Sequence, residues 1–262
     1  MSSGAELLNP FPMKAAIVSL ALLTAGASAQ TEIRSSSSSD WEFTLALYAP
    51  LMGLVGDIGV AGLQPANVDM SFGDILDELD GGLSGAFEAR RGPWSIAVDA
   101  IWMKVSASAP GLGSSYIRLS EDQLTASLTL GYEIYGNETT SLDLVGGVAL
   151  SSLDVDLDLL TPNLPVKVRS GSGSQEWLDP FIGLRYHQQL GDCWSIFASG
   201  NYGSFDVSSE EYWQIIAGVS YRINDCTSIA LAYRMISVDY HQAGFVYDVI
   251  SSGPNLGLVF RF

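Results

Sequence analysis

Ten charged side chains fall in segments of this 262-residue chain that otherwise alternate large apolar residues with Gly, Ala and Ser: Glu42, Glu88, Arg90, Asp99, Glu133, Asp143, Arg185, Arg222, Arg234 and Arg261. Each sits on the small-residue side of its alternation. Gathered on one enclosed face, such carboxylates and guanidinium groups form either a mutually neutralising network or a charged constriction that selects small solutes, because a buried charge is costly unless paired. Asp99 and Arg234 are expected to pair apart from the rest. Hydrolytic chemistry would need a base beside a nucleophile or an activated water. The chain has two histidines, His187 and His241, and only Asp239 with His241 offers a close Asp and His pair. No spacing singles out one serine. Two cysteines and two histidines, widely scattered, match no metal-ligand spacing, so no metal and no cofactor is expected.

The elements that must position these groups are strands. From Leu124 to Ile134 one face carries Leu124, Ala126, Leu128, Leu130, Tyr132 and Ile134; the other carries Thr125, Ser127, Thr129, Gly131 and Glu133. Leu142 to Ser151 and Gln214 to Arg222 alternate in the same way. A soluble sandwich would put Lys, Glu and Thr on its wet face, whereas small residues fit a narrow lumen whose walls are close. Apolar residues make up 47% of the chain, yet no apolar run after residue 29 reaches the roughly 20 residues of a membrane helix. Dispersal by alternation is how a barrel carries its lipid-facing surface. The net charge of −17 repels phosphate and argues against a nucleic-acid partner. At the far end, Leu256, Leu258, Phe260 and Phe262 alternate with Gly257, Val259 and Arg261 and end on an aromatic, which resembles the terminal strand of bacterial outer-membrane barrels that the barrel assembly machinery recognises.

Residues 1–29 read as a secretory signal peptide with translation starting at Met13: Lys14, an apolar core from Ala15 to Ala25, then Ala27, Ser28 and Ala29 as a small-residue cleavage site. Residues 30–40 form a Ser-rich lead-in and residues 41–262 one domain. Short connections at Arg91–Pro93, Gly136–Glu138, Gly191–Asp192 and Asn224–Asp225 take turns with longer polar ones near 61–80, 109–117, 157–175, 206–211 and 241–246. That asymmetry predicts an all-β, closed antiparallel transmembrane barrel of about ten strands, with eight or twelve as alternatives, tight turns on the periplasmic side and loops outside. Trp41, Trp94, Trp102, Trp177, Trp194 and Trp213 all fall at strand ends and are expected to form aromatic girdles.

The segments Ser71–Leu76, Gly85–Arg90, Ala232–Arg234, Phe245–Asp248 and Ser252–Pro254 resemble a family of small, porin-like or opacity-protein-like bacterial outer-membrane β-barrel proteins. The resemblance implies a barrel in the outer membrane, surrounded by its lipid and lipopolysaccharide, and brings no catalytic residue. Asp239 and His241 resemble the rim Asp and His of omptin-type barrel proteases, with no other matching motif. The expected role is a structural envelope component or narrow solute channel without enzymatic activity. The alternatives are a surface interaction protein acting through acidic external loops and, third, a membrane-embedded hydrolase.

Two local features complete the reading. Asn67–Asp80 has Phe72, Ile75, Leu76 and Leu79 at helical spacing, with Ser71 placed to cap and Asp74 three residues on, which predicts a short helix over the barrel mouth. Cys193 and Cys226 each follow an Asp in a periplasmic turn. An oxidising compartment favours a disulfide, while one intervening strand sets them roughly 9 to 10 Å apart and disfavours it, so both outcomes stay open.

Overall fold

Period-two alternation along most of the chain gives twelve strands and one short helix. A computed structural model describes residues 40–59, 65–110, 116–161, 164–203, 208–242 and 244–262. The expected signal peptide, and the lead-in apart from Asp40, lie outside the described residues. The elements are β1 (Glu42–Pro50), β2 (Gly53–Gly59), β3 (Ala66–Met70), α1 (Phe72–Asp77), β4 (Leu79–Arg91), β5 (Trp94–Pro110), β6 (Tyr116–Gly136), β7 (Thr140–Thr161), β8 (Leu164–Leu190), β9 (Trp194–Gly203), β10 (Glu211–Arg222), β11 (Thr227–Gln242) and β12 (Phe245–Arg261).

Strands β4 to β12 pair in sequence order, and β1 joins the two ends. It pairs with β4 from Glu42↔Arg90 to Leu47↔Gly85 and with β12 from Thr44↔Arg261 to Pro50↔Asn255, all antiparallel. Ten strands therefore close on themselves, and up to the Leu47↔Gly85 rung closure leaves no unpaired edge for lipid to solvate. Both chain ends of this barrel meet at the same rim, where Phe43 N–H donates to the Phe262 carbonyl at 2.9 Å. Two of the short connections there turn through glycines with positive φ, Gly92 at 56° and Gly191 at 71°, which a side chain would strain.

The ladder changes character at one height. Proline has no N–H to donate, and Pro50 and Pro254 face the same gap in the wall; β1 stops there and Leu51 N–H reaches the Pro254 carbonyl at 2.8 Å. Beyond it, β2 resumes against β12 from Ser252↔Gly53 to Val246↔Gly59 and folds back as β3. β2 and β3 thus stand outside the ten-stranded ring. Among the described residues, no ladder joins β3 to β4 above Leu47↔Gly85.

Even-numbered residues of β12 and β6 face lipid, among them Leu128, Leu130, Tyr132, Ile134, Ile250 and Leu256, all exposed. The outer limit of the lipid band is marked by outward charges: Asp122 pairs with Lys104 at 3.9 Å and accepts from Trp102 Nε1 at 2.8 Å. Strands β6, β7 and β8 are 21, 22 and 27 residues long, about twice what a barrel strand needs to cross a bilayer. The stretch 157–175 is accordingly no long polar loop. β7 runs on to Thr161 and β8 begins at Leu164, so the connection is a strand hairpin carried beyond the membrane. Residues 241–246 are likewise mostly strand, closed by Gly244 at φ 83°. The helix expected over 67–80 is shorter than that span, since 66–70 is β3 and β4 starts at Leu79. Its start is as the spacing implied: Ser71 Oγ accepts from Asp74 N–H at 3.3 Å, and the Asp74 carboxylate accepts from the Ser71 hydroxyl at 2.6 Å and from Ser71 N–H at 2.9 Å, two bonds that hold its carboxyl below the usual range.

Candidate functional site

The lumen is the site, because the strands turn most of their chemistry-bearing residues into it. It has three layers. Nearest the periplasmic rim, β4, β6, β7 and β8 bring Glu88, Arg90, Glu133, Asp143 and Arg185 together. Asp143, 2% exposed, accepts from both guanidinium groups: Arg185 Nη2 stands 2.7 Å and Nε 3.1 Å from Oδ2, and Arg90 donates through both Nη atoms. Arg185 also donates to Glu88 and, at 2.8 Å, to Ser95 Oγ; Arg90 lies 3.4 Å from Glu88 and 3.6 Å from Glu133. Five of the eight residues expected in the lower lumen thus form one network. Arg222 and Arg261 line a small recess beside His187 and Ser195, Arg261 also borders the larger cavity that Glu88, Arg90, Asp143 and Arg185 line, and Glu42 pairs in register with Arg90 on the neighbouring strand. Of the four acids and four bases expected to meet there, these five concentrate around Asp143 on one wall.

The middle layer is a cavity of about 380 Å³. Apolar residues such as Ala46, Val145, Phe197, Ile216 and Val259 line it, together with groups of the charged layer below. Arg234, 5% exposed, lies at 3.1 Å from Asp99 and donates from Nη1 to the Tyr48 hydroxyl at 3.0 Å, which in turn donates to Asp99 at 2.8 Å. The guanidinium carbon also sits 5.2 Å from the Tyr48 ring centroid. Asp99 and Arg234 do pair apart from the lower network, and Tyr48 is the third member that the sequence reading missed. Its even parity with Glu42 and Thr44 was the available signal.

The outer layer is apolar. Met52, Leu54, Leu153, Val155, Trp177, Phe181, Tyr212, Ile236, Tyr240, Phe245, Tyr247 and Val249 form one buried cluster, with Ile75 of α1 packed against it. Trp177 stacks on Tyr240 with centroids 4.4 Å apart. This corrects one expected girdle residue: Trp177 is 4% exposed and points inward, in parity with Phe181 and Arg185. Trp41, Trp94, Trp102 and Trp194 are exposed on the barrel's outside, and Trp213 is half-buried next to the inward Tyr212. Phe181 fits because Gly147 stands opposite it; a Cβ there would meet the Leu128 carbonyl at 2.1 Å and the Phe181 ring at 2.8 Å.

At the outer rim His241 Nδ1 lies 3.3 Å from Asp239 and 3.4 Å from Glu210. Glu210 was not foreseen, since only the fold brings it across from the start of β10. The three could hold a metal ion by geometry, and no second histidine joins the group among the described residues. Cys193 and Cys226 are both free and exposed. The final strand carries Leu256, Leu258, Phe260 and Phe262 on its lipid side, with Phe262 stacked near Phe43 at 5.9 Å.

The ten-stranded closed wall with an apolar belt decides the class. The fold is that of a bacterial outer-membrane β-barrel, and it places the protein in that membrane. Outer membrane protease OmpT from Escherichia coli superposes on 87% of this chain and all of its own, with TM-score 0.61 and 11% identity. Neisserial surface protein A matches 84% of this chain and 97% of its own at TM-score 0.31 and 15% identity. Ail, the attachment invasion locus protein of Yersinia pestis, matches 86% and 100% at TM-score 0.34 and 11% identity. At such identities the first likeness speaks for the fold, and the other two overlap too loosely to add to it. No protein-family model and no curated protein matches the sequence.

Proposed function

We propose that this is a non-enzymatic structural barrel of the outer membrane whose axis is closed at rest, rather than an open channel. The observation that carries the reading is the outer apolar cluster, in which Tyr240 and Tyr247 are each 1% exposed: a conducting lumen needs a continuous polar path, and this one ends against stacked aromatic rings. The charged layer below adds a second obstruction. Around the barrel the expected surroundings are outer-membrane lipid and lipopolysaccharide, and the alternating final strand is the feature the assembly machinery would read. Planar-bilayer conductance of the refolded chain tests the reading, with a heat-modifiable gel shift to show that the barrel has formed. The folded wild type is expected to stay silent. Steady reproducible steps would make it a narrow channel instead.

A surface interaction role is the second reading, favoured by the strand extension beyond the membrane. There Asp154 and Asp156 face out as exposed carboxylates, while Leu153 and Val155 between them are buried inward. Changing Asp154 and Asp156 to Asn should weaken adhesion to a cationic surface while leaving the gel shift intact.

A further inference from the structure

We infer that the mid-lumen cavity is a binding site for a small, uncharged amphipath that arrives sideways from the outer leaflet of the membrane; the inference rests on the closed-axis reading above. Three observations converge. The cavity, about 380 Å³, lies within the range of small-molecule sites; apolar side chains such as Ala46, Val145, Phe197, Ile216 and Val259 share its wall with polar ones, and charged groups line it at both ends, Asp99 and Arg234 toward the outside and the Asp143 network toward the periplasm. Among the polar lining atoms, Arg234 Nε, Asn201 Oδ1 and Asn255 Oδ1 have no hydrogen-bond partner, although Arg234 and Asn255 are each 5% exposed. Buried polar groups are normally satisfied, so a donor and two amide ends turned on one cavity are the complement of a hydroxyl or amide.

The charge pattern selects against ions. Five carboxylates in and below the cavity, Glu42, Glu88, Asp99, Glu133 and Asp143, stand against five guanidinium groups, Arg90, Arg185, Arg222, Arg234 and Arg261. At the outer end Arg234 is already matched by Asp99 at 3.1 Å. A charged ligand would lose its hydration there and gain no free counter-charge.

The wall supplies the path. The β1–β4 ladder ends at Leu47↔Gly85, and Ser84 Oγ clasps the Tyr48 carbonyl at its last rung. Tyr48, Arg234 and Asn255 cluster at this height, since Asn255 is the register partner of Pro50 where β1 stops. Above the last rung, Leu79 and Leu83 of β4 are exposed, Leu83 at 73%, level with Trp102 at the outer edge of the lipid band. An unpaired strand edge at lipid depth is costly, and it is tolerated where it borders a cavity. The seam therefore opens from the lipid side onto the outer end of the pocket.

The test uses the full refolded barrel in lipid nanodiscs with 13C-labelled Ile and Val methyls, titrated with 1-octanol, octanoate, octylammonium and the water-confined 1,2-hexanediol. Saturable shifts at Ile216, Val145 and Val259 with octanol, at least five-fold larger than with either ion or the diol, are expected. Ala46→Leu and Ala230→Leu, which fill the cavity from two strands, should each abolish them while the heat-modifiable gel shift persists. The site is overturned if octanol moves only lipid-facing methyls, or if its shifts survive both filled variants. Shifts as large with the diol as with octanol overturn the lateral path. Conductance is scored separately, so an open axis and an empty pocket are distinguishable failures.

Discussion

The two ends of the lumen solve the same problem by opposite means. The periplasmic layer fills space with charge: two arginines converge on one nearly inaccessible carboxylate, Asp143, and the cluster holds because each guanidinium has fixed acceptors. The outer layer fills space with rings and aliphatic side chains that need no partners. A network of this kind is intolerant of deletion, since removing one member strands the others, whereas an apolar cluster degrades gradually as contacts are lost. The difference predicts where the barrel breaks sharply and where it softens.

Asp143→Ala should give the largest effect, about 3 to 5 kcal/mol of lost stability in urea unfolding, because Arg90 and Arg185 then face each other with only Glu88 and Glu133 left between them. If the loss is no larger than that of an ordinary surface change, water reaches the layer and it is not a sealed network. Trp177→Ala comes next, at about 3 kcal/mol, the lower end for a buried aromatic because the space it leaves adjoins the barrel mouth. Its second readout sharpens the contrast: combined with Tyr240→Ala it should produce conductance where the wild type is silent, while Asp143→Ala alone should not. Ser71→Ala is smaller, about 1 kcal/mol, confined to α1. Limited proteolysis between Ser71 and Glu78 should then speed up without a change in the barrel's gel shift, unless Ile75 holds the helix down by its packing alone.

The contrast also bears on what the sequence could show. The ten-stranded ring was readable because a membrane barrel has to repeat one rule, apolar residues outside on every second position, and Leu124 to Ile134 obey it throughout. The charged layer was half readable: parity placed Arg90, Asp143 and Arg185 inside, and only strand register could say that both guanidinium groups converge on Asp143 while Arg222 lines a separate recess. The aromatic layer was in the same code and was overlooked. Trp177 shares parity with Arg185, so a chain whose Arg185 is inside must have Trp177 inside too, provided the strand runs unbroken between them, and β8 does. Treating tryptophan as an interface residue by type overrode the periodicity. The strands that outlast the membrane were hidden for another reason: Asp154, Asp156 and the Gly and Ser residues from 170 to 174 look like loop by composition, and pairing with β6 on one side and β8 on the other keeps β7 extended.

A pH-dependent effect probes whether the outer layer is dry at its upper edge. Glu121 lies one residue beyond the outward Asp122 that marks the limit of the lipid band, on the inward side with Gln123, which donates to the Tyr247 hydroxyl at 3.0 Å. Burial pushes its carboxyl up from 4.5 to about 7. A carboxyl raised in the folded state binds more protons folded than unfolded between those values, so it favours folding at low pH and this contribution is lost as pH climbs through about 7. Urea midpoints of wild type and Glu121→Gln should therefore agree at pH 4, and the variant should be the more stable at pH 8, with the gap opening across the window between. Parallel curves would mean that water already solvates Glu121, and the dry outer layer would then begin lower, at Tyr247 and Trp177.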